Sequence, residues 1–181
     1  MRFNKKIIIK NGDEILIRNG EATDGRFVLE IFNQTHEETD FLLSYTDEKQ
    51  FGDEQESKYL AQKADSANDV ELFAIMDNKG VGFAGIDAVG TKYKVKHRAD
   101  FGISVLKDYW GLGIGRALTE YCIECAKKAG YTQLELEVVA DNERAMSLYK
   151  SLGFIEYGRN PRGFNSRISG YQEIVSMRLE L

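Results

Sequence analysis

Phe101-Gly-Ile-Ser-Val-Leu-Lys-Asp-Tyr-Trp-Gly-Leu-Gly-Ile-Gly-Arg-Ala-Leu118 decides how this chain is read: an alternating strand runs into Gly111, Gly113 and Gly115, and a helix opens at once. Glycines at such a turn let the backbone come close to a ligand, and the first N–H groups of a helix have no internal partner and sit at the positive end of its dipole. The turn therefore reads as a cradle for an anion, or as a tight strand-to-helix connection with no ligand. Neither familiar nucleotide fingerprint fits. A P-loop requires G-x-x-x-x-G-K-[ST], which Gly111 and Arg116 do not satisfy, and a dinucleotide turn would put its third glycine at Arg116 or Leu118.

Working outward, the helix from Ile114 to Lys128 carries Leu118, Tyr121, Cys122, Cys125 and Ala129 on one face and stops at Gly130. Thr132–Ala140 reads as a strand, Asp141-Asn142 as a cap, and Glu143–Leu152 as a helix ended by Gly153. Strands Phe154–Arg159 and Tyr171–Leu181 flank a polar loop, Asn160–Gly170. Upstream, Val70–Asp77, Val81–Val89 and Arg98–Leu106 form an antiparallel meander with turns at Asn78-Lys79-Gly80 and Gly90–Lys96. At the N-terminus, Ile7–Ile9 and Ile15–Ile17 flank an Asn11-Gly12 hairpin turn, and Ala22 to Gln34 reads as a helix with Thr23 or Asp24 as its cap. Glu37 to Glu56 is acidic, loop passing into a second helix that runs to about Ala64, and reads as a solvated face. The order predicts an α/β chain, a mixed sheet with helices on both faces.

Length and composition set the bounds. With 181 residues, 43% hydrophobic and 29% charged, residues 1–181 are expected to form a single domain with its own core. The balance of 24 Lys+Arg against 29 Asp+Glu leaves no positive surplus for a phosphate backbone, so nucleic acid is not expected as a partner. Apolar runs such as Val81 to Ile86 are far too short to span a bilayer, and Ile7, Ile8 and Ile9 give way to Lys10 before a signal-peptide core can form. The expectation is a soluble, cytoplasmic protein that does not engage membranes. Cys122 and Cys125 lie inside a helix, where they read as packed thiols, and His36 and His97 lack metal spacing, so no metal is expected.

Two motifs together carry a resemblance. Trp110-Gly-Leu-Gly113-Ile-Gly115 lies over the Q/R-x-x-G-x-G/A loop of the GCN5-related N-acetyltransferases. Asn142-Glu-Arg-Ala145-Met-Ser-Leu-Tyr149-Lys-Ser-Leu-Gly153-Phe154 resembles that family's N-x-x-A-x-x-L-Y-x-x-x-G-F segment at all its fixed positions. The resemblance implies a mostly antiparallel central sheet with a splayed strand pair, and transfer of an acetyl group from acetyl-coenzyme A to a primary amine. By resemblance, the backbone of Ile103, Ser104 and Val105 pairs with the pantetheine amides, and Val105 N–H is the oxyanion donor. The N–H groups of Gly111, Leu112, Gly113, Ile114, Gly115 and Arg116 hold the pyrophosphate, and Asn142 touches the cofactor or caps its helix, or both.

The same resemblance makes Tyr149 the general acid, since a phenol of pKa about 10 can protonate a thiolate whose conjugate acid lies near 8.5. Spacing alone also allows a tyrosine packed beside Leu148 and Leu152. Asp100 is the candidate base for the ammonium acceptor, and equally a solvated strand-end residue. Trp110 stands where Gln or Arg is usual, and Lys107 where proline is common. Trp-Gly here is also similar to a subset that includes acetylators of ribosomal-protein N-termini. The acidic segment and the net charge of −5 favour a cationic acceptor: a polyamine, a peptide N-terminus, a lysine or an aminoglycoside. Family members are often dimers, so a homodimer is the expectation by analogy. A non-catalytic acyl-coenzyme A sensor is the alternative reading.

Overall fold

A hairpin opens the computed structural model, which describes residues 2–48 and 52–181. Its strands, β1 (Asn4–Ile8) and β2 (Glu14–Asn19), pair antiparallel with Ile7 opposite Ile15. Helices α1 (Gly25–Glu38) and α2 (Asp53–Asp65) follow, α1 entered through a short 3₁₀ turn at Ala22–Asp24. The expected acidic stretch crosses positions 49–51, which lie outside the described residues. The meander is β3 (Val70–Met76), β4 (Lys79–Ala88) and β5 (Arg98–Val105). Its first turn comes earlier than expected: Asp77 and Asn78 are the two loop residues, at φ 48 and 60, and Lys79 already pairs with Met76. Positive φ at both central positions is the type I′ geometry that matches strand twist.

Then come α3 (Ile114–Ala129), β6 (Gln133–Val139), α4 (Glu143–Ser151), β7 (Ile155–Ser166) and β8 (Gly170–Glu180). The eight strands form one sheet in the order β1-β2-β3-β4-β5-β6-β8-β7, antiparallel throughout except between β5 and β6. The expected mixed sheet, with helices on both faces, is the architecture found.

Alternation along β3 divides the core. Leu72 and Ala74 belong to the cluster that includes Leu118 of α3 and Met146 of α4, whereas Phe73 belongs to one with Ile31 of α1 and Leu60 of α2. Successive strand side chains point to opposite faces, so a single strand supplies both layers. Cys122 and Cys125 are buried free thiols in the first cluster, each pushed up in pKa by burial. Among the described residues no helix is long and apolar enough to cross a membrane.

The polar loop expected at Asn160–Gly170 is instead mostly strand. β7 continues to Ser166, with register irregularities around Gly158 and Pro161–Gly163, and only Arg167, Ile168 and Ser169 connect it to β8. β7 ends the sheet, so its polar side chains can face solvent and Pro161 can occupy an irregular stretch without breaking an interior ladder.

Candidate active site

The site begins where β5 and β6 part. Their parallel pairing covers only Arg98, Ala99 and Asp100 opposite Gln133, Leu134 and Glu135. On the other edge β5 stays paired to β4, and the bonds Leu106 N–H to Val81 O (3.0 Å) and Val89 N–H to Arg98 O (3.1 Å) fix its even-numbered backbone groups toward β4. Antiparallel ladders alternate, so Phe101, Ile103 and Val105 turn their N–H and C=O groups toward the fork. Of the three positions expected to meet a pantetheine chain, Ile103 and Val105 therefore present backbone groups to the cleft. Ser104 turns its own toward Phe83 of β4. The Val105 carbonyl accepts from Trp110 Nε1 at 2.7 Å, which gives the unusual tryptophan a local task.

At the wide end of the fork lies the glycine turn. Gly111 (φ +81) and Gly113 (φ +95) hold left-handed backbone, and a Cβ there would meet nothing nearer than Arg144 Nη1 at 3.7 Å and Lys10 Cγ at 3.9 Å. Conformation rather than crowding is what calls for glycine. Gly113 is the N-cap of α3 and no side chain caps that end, so the first N–H groups, those of Ile114, Gly115 and Arg116, are left for a ligand. Leu112 pins the loop to the first hairpin through its carbonyl, which accepts from Lys10 N–H at 3.0 Å. The side chains of Leu112 and Ile114 pack with the core, so only their backbone can serve the site.

Arg116 is exposed and donates to Ser151 Oγ at 2.7 Å, and Arg144 lies 5.3 Å over the Trp110 ring. With Lys10 they give this end a cationic rim. Lys10 and Arg144 escaped the sequence reading, the first because it arrives from a distant hairpin, the second because it fills a variable place in its motif. Asn142 Oδ1 accepts from Ala145 N–H at 3.2 Å, so it caps α4 while also lining the cleft.

Tyr149, on α4, packs edge-on to Phe101 (6.2 Å between ring centres) and against Phe154 (5.7 Å). It is 6% exposed and lines the cleft, and burial pushes its phenol well above the usual range, so it stays protonated. Asp100 lies at the closed end of the fork. Partial burial, then the neighbouring Glu135, raise its pKa, and among the described residues it makes no ion pair.

Around it stand Asp87, Glu71, Glu135 and Glu137, so the cleft of about 1230 Å³ is basic at the glycine end and acidic at the other. Among the described residues, Glu56 is the one acid of the expected segment that lines the cleft, and the rest of that acidity comes from the sheet. Glu38 Oε2 accepts from Lys107 N–H (2.7 Å), Asp40 Oδ2 from Ser166 Oγ (2.6 Å) and Ser169 Oγ (2.8 Å), and Asp47 and Glu48 pair with Arg167. Glu37, Asp47, Glu48, Asp53 and Glu54 are exposed, as expected of a solvated face, while Asp40 and the exposed pairs of Asp47 and Glu48 also strap the α1–α2 connection to the β7–β8 turn, with Phe41, Leu42 and Leu43 against the cleft. Among the described residues no group of three or more His, Cys, Asp and Glu side chains is placed to hold a metal ion.

Comparison with known proteins agrees with this geometry. The Acetyltransferase (GNAT) family model matches residues 28–154. The chain is similar to the [ribosomal protein bS18]-alanine N-acetyltransferase of Escherichia coli strain K12, 31% identical over 134 residues that cover 74% of this chain and 80% of the relative. It is equally similar to an L-amino acid N-acetyltransferase, AaaT, of the same strain, 31% identical over 142 residues, 78% of this chain and 83% of the relative. A GNAT-family acetyltransferase structure from Streptococcus pneumoniae superposes with a TM-score of 0.87 at 30% identity, covering 92% of this chain and 99% of that one. A putative acetyltransferase from Salmonella typhimurium, solved with its cofactor acetyl-CoA, shares the fold at a TM-score of 0.80 and 18% identity, with 92% of this chain and 94% of that one covered.

Proposed function

The chain belongs to the GNAT family and is an acetyl-CoA-dependent acyltransferase, and from that premise we propose that it acetylates a cationic primary amine by direct attack, with Tyr149 as general acid and Asp100 as base. The observation that carries this reading is the open edge of β5. It leads without interruption from the uncapped, cation-rimmed N-terminus of α3 to an unpaired carboxylate, and Tyr149 packs on Phe101 of the same strand.

The fit of acetyl-CoA rests on this chain's own groups. The N–H groups of Ile114, Gly115 and Arg116, with Lys10 and Arg144 nearby, suit a pyrophosphate. Ile103 and Val105 offer an extended chain the pairing that a missing strand would provide. Acetyl-CoA supplies an activated acyl carbonyl. Asp100 takes a proton from the ammonium acceptor so that nitrogen can attack, and Val105 N–H stabilises the charge that grows on the carbonyl oxygen. As the C–N bond forms and the C–S bond breaks, Tyr149 hands its proton to the departing sulfur. As the intermediate collapses the nitrogen gives up its second proton to solvent; Asp100 then releases the first, solvent reprotonates Tyr149, and the products are a neutral N-acetyl amine, coenzyme A as its thiol and one proton net.

The two relatives differ in acceptor at the same identity, so resemblance does not choose it. Glu71, Asp87, Asp100, Glu135 and Glu137 along one wall support a positively charged amine as the acceptor. The test is coenzyme A release against polyamines, peptides with free N-termini, lysine peptides and aminoglycosides. One class should turn over, and Tyr149→Phe should lower its kcat at least about tenfold while leaving acetyl-CoA affinity unchanged. Binding without turnover across the panel would replace catalysis with acyl-CoA sensing.

A further inference from the structure

Three carboxylates stand in one row across the acceptor wall. Asp87 of β4 is the register partner of Asp100 of β5, and Asp100 that of Glu135 of β6. The outer two are each held by a cation. Lys63 reaches up from α2, its side chain 6% exposed, and places Nζ 2.8 Å from Asp87 Oδ2 and 2.8 Å from Glu71 Oε2. Arg98 grips Glu135 with both arms of its fork, Nη2 lying 2.6 Å from Oε2, and Gln133 adds a bond to Oε1 at 2.9 Å. Only Asp100, between them, has no cation of its own among the described residues.

We propose that Lys63 and Arg98 are positioning residues which neutralise the carboxylates on either side of Asp100, so that Asp100 alone in the row is free to take the acceptor's proton. This rests on the reading of Asp100 as base. A carboxylate whose lone pairs and charge are engaged by a buried ammonium or a bidentate guanidinium is a poor proton acceptor, whereas a bare one beside it is a good one. Burial works to lower the Lys63 ammonium, but Glu71 and Asp87 outweigh it, so Lys63 keeps its charge. Besides these, Glu137 of β6 bears on Asp100, and Arg98 also acts on it directly, opposing the rise; Tyr157 of β7 lies by Glu135 and Arg98, and Tyr59 and Glu56 on α2 by Asp87 and Glu71. Apart from Arg98, none of these is a cation. With the flanking charges offset by Arg98 and, in part, by a Lys63 shared with Glu71, Asp100 can ionise more readily; without that offset its titration would move further upward.

The experiment is the pH profile of acetyl transfer with one acceptor throughout, so that the acceptor's own titration is common to every variant. Asp100→Asn is the control on the underlying reading and should remove the acidic limb; a limb that survives it means Asp100 is not the base. Given its loss, Lys63→Met and Arg98→Gln should each move the acidic limb of the unaltered-Asp100 enzyme up by about half a pH unit or more, and Asp87→Asn should move it down. Both directions come from charge alone. A merely structural role would lower activity in all three without opposite displacements, and that result, or limbs that stay in place, overturns the proposal. Should Lys63→Met fail to fold, Arg98→Gln and Asp87→Asn still carry opposite signs.

Discussion

At the glycine end of the cleft the groups that face a ligand are backbone N–H donors, held by the φ of Gly111 and Gly113 and the uncapped start of α3. At the carboxylate end they are side chains brought together from α2, β3, β4, β5 and β6. The first arrangement is local: a few consecutive residues fix it, and apart from the glycines at positive φ its side chains are free to vary. The second exists only after the sheet has assembled its rows. A cosubstrate common to a family suits the first construction, and an acceptor that changes from one relative to the next suits the second.

The sharpest way to break this contrast is Gly113→Val. A branched side chain at a φ of +95 costs roughly 1–3 kcal/mol, so acetyl-CoA affinity in isothermal calorimetry should fall about five- to hundredfold while the acceptor KM of the remaining activity holds. An equal rise in acceptor KM would mean the two ends are not separable. Trp110→Phe comes next. It frees the Val105 carbonyl of its indole partner, and a lost hydrogen bond of about 0.5–1.5 kcal/mol predicts an acetyl-CoA KM raised about three- to tenfold.

Smaller still is Arg144→Gln. If the cationic rim acts only through its charge, cofactor binding should weaken a few-fold at low ionic strength and match the parent in half-molar salt. A defect that persists in salt would assign Arg144 a directional bond. At the carboxylate end, Arg167→Ala cuts the exposed pairs to Asp47 and Glu48 and should leave the melting midpoint nearly unchanged. A shift in acceptor KM alone would show that the strap shapes the entrance.

How much of this could be read in advance follows from the same contrast. Gly111, Gly113, Asn142, Tyr149 and Gly153 are tied to local backbone events, so their spacing exposed both motifs, and strand alternation exposed the meander. Ser104 is the instructive neighbour. Its place in the stretch was readable, but which edge its amide faces depends on the partner strand, here fixed by Leu106 and Val89. The end of β7 was hidden because an edge strand tolerates Pro161 and polar residues that elsewhere announce a loop. Lys63, Arg98 and Lys10 carried no local signal, since each acquires its meaning from a residue on another element.

The fork itself also bears on how the protein holds together. Beyond Asp100 and Glu135 the sheet forgoes a run of ladder bonds in its middle, where a continuous sheet would be strongest. A ligand that bridges Ile103 and Val105 binds the folded chain and not the unfolded one, so its free energy adds to folding as RT ln(1 + [L]/Kd), about 2.7 kcal/mol at a hundredfold excess over Kd. Resistance to heat and proteolysis in the two halves on either side of the fork would then track the supply of cosubstrate, making the abundance of the protein a gauge of the metabolite it consumes.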